Sequence, residues 1–331
     1  MPASEVVDLL ACDDPVAAFI EADGSSRPIA LPTSGTAARP RTIVRTTESW
    51  SDSFAAVSEL TDLDASSRVW VPGPTTATMN LFATIHARWA GATLAPDLGS
   101  ATHAHLTPTA LRRLLDAVNP DLAGRHLVVA GDRIEAGTRA RIRAAGAEMS
   151  HYYGAAELSF VAWGEHADAL RPFPGVEVTS RDGELWVRSP YVSRGYLEPE
   201  HTLRHDADGW VTVGDRGDLT DGCVRVHGRS GGITTGGTTV RTAEIEHALR
   251  PRATGDVVVL GLPHPDLGEV VAAVVTHPED VQHLQALSRD VLTAAQRPRR
   301  WLQVDALPLT GHDKVDRVAL RAAFAAARAE R

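Results

Sequence analysis

A buried strand that runs into a glycine turn and is followed by an amphipathic helix occurs twice in this chain, and that repeat constrains the fold more than any other feature. Arg68-Val69-Trp70-Val71-Pro72-Gly73-Pro74 reads as a strand entering a turn, and Met79 to Gly91 as a helix stopped by glycine. His126-Leu127-Val128-Val129-Ala130-Gly131 repeats the pattern, with a helix over Arg139 to Ala145 closed at Gly146. Strands joined through helices point the same way, so a parallel sheet under helical cover is expected. From about Gly175 the pattern changes to short alternating runs, such as Gly183-Glu184-Leu185-Trp186-Val187-Arg188 and Gly209-Trp210-Val211-Thr212-Val213, each bounded by Asp or Gly. These predict a small antiparallel or barrel-like unit. After the glycine cluster Gly228 to Gly237 come a helix over Arg241 to Leu249, a buried strand over Asp256 to Leu260, a second strand over Val270 to Thr276, another helix and a polar end. The result is a compact α+β tail of about 100 residues.

Composition narrows the class of partner. The 331 residues, 43% of them apolar, suffice for one large core or two unequal ones. A formal charge of -9 and scattered arginines argue against nucleic acid or an anionic membrane as the main partner. Cys12 and Cys223 form no disulfide framework and fit a reducing cytoplasm. The first residues, MPASEVVDLLACDD, carry acids where a secretory signal needs a basic start, and no apolar run approaches about 20 residues. A soluble intracellular protein with no membrane contact is expected. His86, His103, His105 and His151 show no metal-ligand spacing and read as surface or pocket-lining residues.

The stretch PTSGTAARPR, Pro32 to Arg41, supplies what a phosphate-binding loop needs: small residues, hydroxyls and guanidinium groups beside backbone N–H donors. It is not a Walker loop, because the G-x-x-x-x-G-K-[ST] spacing is absent. By itself it reads equally well as a polar turn.

Further segments line up in order along the chain. They are His151-Tyr152-Tyr153-Gly154-Ala155-Ala156-Glu157, Gly183 to Val187 with Gly195-Tyr196, Val213-Gly214-Asp215-Arg216-Gly217-Asp218-Leu219, Gly228-Arg229, and LPLTGHDKVDR over Leu307 to Arg317. Together with the loop they resemble the core motifs of the adenylate-forming (ANL) superfamily, which includes acyl-CoA synthetases, nonribosomal adenylation domains and luciferases. The likeness is strongest to short, truncated o-succinylbenzoate:CoA ligases. It implies an α/β fold: a truncated large domain of parallel sheet layers plus a small barrel-like unit, and a small mobile α+β C-terminal domain. The implied boundaries are 1–229 for ATP and acyl binding, lacking most of the usual first subdomain, and 230–331 for the lid.

The resemblance also implies roles. ATP and Mg2+ would convert a carboxylic acid to an acyl-adenylate, and the thiol of CoA would then displace AMP. Thr33, Ser34, Gly35, Thr36 and Arg41 would hold the phosphates, Arg41 standing where the family usually has lysine. Glu157 takes the magnesium-ligand position of the YGxTE motif. Tyr153, Gly154, Asp215 and Arg229 would bind the nucleoside, Asp215 accepting from the ribose hydroxyls. Lys314 would meet the charge developing at the α-phosphate. Gly236 and Gly237 would let a thiol arm pass close to the backbone, and Asn80, Gly131 and His151 would line the acyl pocket. Ala38, Thr42, Ala156, Val213 and Asp313 depart from the family pattern, and glycine replaces the usual acidic hinge pair at Gly231-Gly232. Two alternatives stand beside the CoA ligase: a stand-alone adenylation enzyme that loads a carrier protein or other nucleophile, and a non-catalytic nucleotide-binding protein.

Overall fold

The two strand–turn–helix repeats lie in one seven-stranded sheet of the computed structural model, which describes residues 6–32, 41–116, 121–130, 134, 136–229, 232–235, 238–310 and 315–329. The sheet order is Arg171–Pro172, Ser159–Gly164, Glu148–Ala155, His126–Ala130, His103–Leu106, Arg68–Trp70 and Thr93–Leu94. From Glu148–Ala155 to Thr93–Leu94 every neighbouring pair is parallel, as helical crossovers require. The remaining two strands are added antiparallel. The strand His126–Ala130 is apolar nearly throughout because both of its faces are covered. Val128 joins a core with Leu81, Phe82 and Ile85 of the helix Thr78–Trp89, whereas Leu127 and Val129 join a second core with Leu111 and Ile142.

A four-stranded sheet carries the segment next to the polar loop. Its order is Val7–Asp8, Ile29–Pro32, Thr42–Arg45 and Gly195–Tyr196. Val44 pairs with Gly195 and Ile43 with Tyr196, so a strand 150 or so positions downstream is fixed beside the loop's C-terminal end. The alternating runs after Gly175 form the expected antiparallel unit, a six-stranded sheet with Glu184–Arg188 at its centre, paired to Glu177–Arg181, Val211–Thr212 and Asp215–Thr220.

The chain divides into two compact units, Met1–Val226 and His227–Arg331. In the second, Val257–His264 and Gly268–Val275 form a long antiparallel pair, and Arg300–Gln303 adds in parallel to the latter. Alternate residues serve opposite cores: Val257 and Val259 pack with Ile245 and Leu249, while Val258 and Leu260 pack with Leu320. The sequence predicts only a polar end after the last helix of this tail. The structure instead has the strand Arg300–Gln303 and a helix over Arg317–Ala329, anchored by the i, i+4 pair Leu320 and Phe324.

Candidate functional site

The carboxylate at Glu157 is presented by a tight hairpin at the carboxyl ends of the parallel strands, the edge where open α/β sheets bind ligands. Ala155 faces Ser159 across the three-residue turn Ala156-Glu157-Leu158. Gly154 is required there by close approach, since a Cβ at this position would collide with the Ser159 carbonyl oxygen. Ser159 itself takes a φ of 59°, the left-handed turn that lets the chain double back.

Glu157 is 5% exposed. Tyr196 Oη donates to its Oε1 at 2.8 Å, and among the described residues nothing donates to Oε2. Burial, then the Glu157 charge and the hydrogen bond to it, push the Tyr196 hydroxyl up to about 12, so it stays a donor at neutral pH. Arg41 lies over the Tyr196 ring, its guanidinium carbon 5.6 Å from the ring centroid. The backbone around Glu157 is held as well. Its carbonyl accepts from Ser193 N at 2.8 Å, and the carbonyl of Ala156 accepts from Arg45 Nη2 at 3.2 Å. Arg45 is fully buried, and its guanidinium lies 5.4 Å from the Trp50 ring centroid.

Tyr153, on the same hairpin, donates from Oη to Asp215 Oδ2 at 2.7 Å, which joins the parallel sheet to the first residue of the strand Asp215–Thr220. Asn80 is buried in the helix Thr78–Trp89, its Nδ2 donating to the Pro74 carbonyl at 3.1 Å. His151 is 3% exposed, with Nδ1 3.0 Å from the Val129 carbonyl. Arg229 closes the strand Cys223–Arg229, and its side chain lies outside the described residues, as do Thr33, Ser34, Gly35, Thr36, Gly131, Gly236, Gly237 and Lys314. The flanks of the lysine segment are described: Leu309 bridges Val315, and Asp316 N donates to the Pro308 carbonyl at 2.8 Å.

The structure brings Glu157, Tyr196 and Arg41 together, and Tyr153 with Asp215. It corrects the surface half of the reading of the histidines as surface or pocket-lining: His86, His103, His105 and His151 are all buried, at 0, 7, 4 and 3% exposure. Burial lowers His86 to about 4 and His105 to about 3, so both are neutral at physiological pH. Among the described residues no three His, Cys, Asp or Glu side chains cluster to hold a metal, and no helix is long and apolar enough to cross a membrane. Sequence reasoning missed Arg45. Its one signal is the period of two in Thr42-Ile43-Val44-Arg45, which puts it on the side of buried Ile43.

A parallel sheet presenting a carboxylate hairpin, an antiparallel sheet after it and a separate α+β unit define the adenylate-forming architecture. Residues 28–197 match the AMP-binding enzyme family and residues 244–314 the AMP-binding enzyme C-terminal domain, and the chain belongs to this family. It is 26% identical over 322 residues to the uncharacterized acyl-CoA ligase YhfT of Bacillus subtilis (strain 168), a match covering 86% of this chain and 66% of the relative. It is 28% identical over 233 residues to 2-succinylbenzoate-CoA ligase of Escherichia coli (strain K12), covering 68% and 51%. An E. coli MenE variant with bound OSB-AMS superposes with a TM-score of 0.79 at 25% identity, covering 90% of this chain and 69% of that one. The amide bond synthetase McbA from Marinactinospora thermotolerans superposes at 0.76 with 26% identity, covering 89% and 69%. The chain thus spans 51% to 66% of the length of these two curated relatives.

Proposed function

We propose that the chain activates a carboxylic acid with ATP and passes the acyl group to the thiol of CoA. The observation that carries this reading is the buried Glu157 carboxylate, held by Tyr196 through one oxygen and with no described donor on the other. That arrangement suits Mg2+, a hard cation that binds through one or two carboxylates plus substrate phosphates and water. Bound there, the ion would neutralise charge on the triphosphate. Arg41, over the Tyr196 ring, would share that task on the pyrophosphate, and the hydrogen-bonded Tyr153–Asp215 pair would orient the nucleoside. In the first step an acid oxygen attacks the α-phosphorus, a new O–P bond forms, and pyrophosphate leaves with the electrons of the broken bond. In the second the thiol gives up its proton and attacks the acyl carbon, and AMP departs. Under this reading residues 1–229 bind ATP and acid in the cytoplasm, and residues 230–331 form the lid that brings Lys314 to the α-phosphate. Gly236 and Gly237 would then admit the thiol arm, with Asn80, Gly131 and His151 around the acid.

A second reading differs only in the acceptor. The likeness to an amide bond synthetase favours an amine as the nucleophile. Pyrophosphate release from ATP across a panel of carboxylic acids, with and without CoA, tests both. Release with one class of acid and formation of its CoA thioester is expected. Release without thioester would favour the second reading, and no release with any acid would overturn both.

A further inference from the structure

Arg45 is an unusual residue to find at the foot of this site. Its side chain is 0% exposed, and no carboxylate among the described residues lies within ion-pair distance of it. Removing a guanidinium from water costs several kcal/mol unless something offsets it. Burial lowers its pKa to about 9, the charge on Glu157 acts in the opposite sense, and the group remains a cation at neutral pH. The compensations present are specific. Nη2 donates to two carbonyls, Ala156 at 3.2 Å and Tyr191 at 3.1 Å, and the Trp50 ring covers the guanidinium.

Those two carbonyls belong to the segments that place Glu157. Ala156 precedes it in the hairpin turn, and Tyr191 opens the stretch from which Ser193 N reaches the Glu157 carbonyl and Tyr196 reaches its carboxylate. Arg45 therefore ties the hairpin to the segment that grips its carboxylate. Among the described residues, Nε and Nη1 of Arg45, with Thr47 Oγ1 and Ser193 Oγ, are buried and lack a hydrogen-bond partner. An apolar side chain of the same volume would fill the space at lower cost.

We infer that Arg45 is a positioning residue for the Glu157 carboxylate: it locks the Ala156–Glu157 peptide to the Tyr191–Tyr196 segment from which the carboxylate is gripped. This rests on the reading of Glu157 as the Mg2+ ligand, and the test separates the two. The 331-residue protein and the variants Arg45→Met, Arg45→Lys, Glu157→Gln and the double variant Arg45→Met/Glu157→Gln are titrated with ATP by calorimetry, in Mg2+ and in EDTA, beside thermal melts. Glu157→Gln removes most of the affinity that Mg2+ adds. Arg45→Met reduces that Mg2+-dependent gain about tenfold, the lower end of what losing a group that supports a metal ligand costs, and Arg45→Lys, which keeps the charge, restores part of it. In the Glu157→Gln background Arg45→Met has no further effect on the gain.

If Arg45→Met and Arg45→Lys lower only the melting temperature and leave the Mg2+-dependent gain intact, Arg45 is a staple and the inference falls while Glu157 stands. If Glu157→Gln keeps the gain, Glu157 is not the metal ligand and both fall. Should Arg45→Met not fold, Arg45→Lys alone decides: an unchanged gain overturns the inference.

Discussion

Two glutamates of this protein are buried to nearly the same degree, Glu157 at 5% and Glu246 at 6% exposure, yet they are surrounded in opposite ways. Glu246, in the C-terminal unit, is saturated. Arg250 Nη2 approaches its Oε2 at 2.7 Å, Val259 N donates to Oε1 at 2.8 Å, and Arg317 Nη2 lies 3.3 Å from the same oxygen. Among the described residues the Glu157 carboxylate has one donor, Tyr196, and the nearby guanidinium of Arg45 serves the preceding Ala156 carbonyl instead. A carboxylate whose acceptor sites are filled by protein holds the fold together. One left with an open oxygen has capacity for something else.

The largest effect should come from the saturated partner. Glu246→Ala would strand two arginines and is expected to cost about 3–5 kcal/mol, the usual penalty for breaking a buried ion pair. Urea denaturation of the full chain measures it, and a loss below about 1 kcal/mol would put Glu246 among ordinary surface pairs and dissolve the contrast. The next effect concerns three buried or half-buried histidines of the large unit. Burial lowers His86, His105 and His126 to about 4, about 3 and about 4 in the folded protein. The unfolded chain binds their protons near pH 6.5, so stability is complete above that value and falls as pH drops toward 4. One such group retaining its full shift would remove about 2 kcal/mol by about pH 5. Denaturation midpoints near pH 7 and pH 5 check this, and a flatter pH response is expected in His86→Leu. An unchanged slope would mean that the ring is solvated in the folded state. The smallest effect is Tyr196→Phe, which removes the hydroxyl that donates to Glu157 Oε1. It should weaken the Mg2+-dependent ATP gain while shifting stability by about 1 kcal/mol or less. A large stability loss with binding preserved would make Glu157 resemble Glu246.

Local periodicity made much of the fold legible. The repeats at Arg68–Gly91 and His126–Gly146 specified the parallel sheet, and the alternation after Gly175 specified the antiparallel one. The helix Arg317–Ala329 was hidden because only Leu320 and Phe324 carry its apolar stripe among alanines and arginines. At the site, Glu157 was readable from its motif. Its grip was not, because Tyr196 lies 39 positions away and Arg45 holds the preceding Ala156 carbonyl across 111, and such pairings leave no local period. The histidines misled for a related reason. A polar ring scores as surface in a sequence pattern, yet a partner such as the Phe54 carbonyl for His86 makes a core position tolerable.

The short strand Thr42–Arg45 has a consequence of a mechanical kind. It begins immediately after Arg41, which meets one face of the Tyr196 ring, and ends at the guanidinium that holds the Ala156 carbonyl. An extended strand advances about 3.3 Å per residue and barely stretches, so these four residues act as a gauge bar between the cation at the polar loop and the seat of the carboxylate. A substitution in the bar changes its surface. An insertion or deletion changes its length and flips Arg45 to the other face, so chains with this geometry should vary in what the bar is made of far more readily than in how long it is.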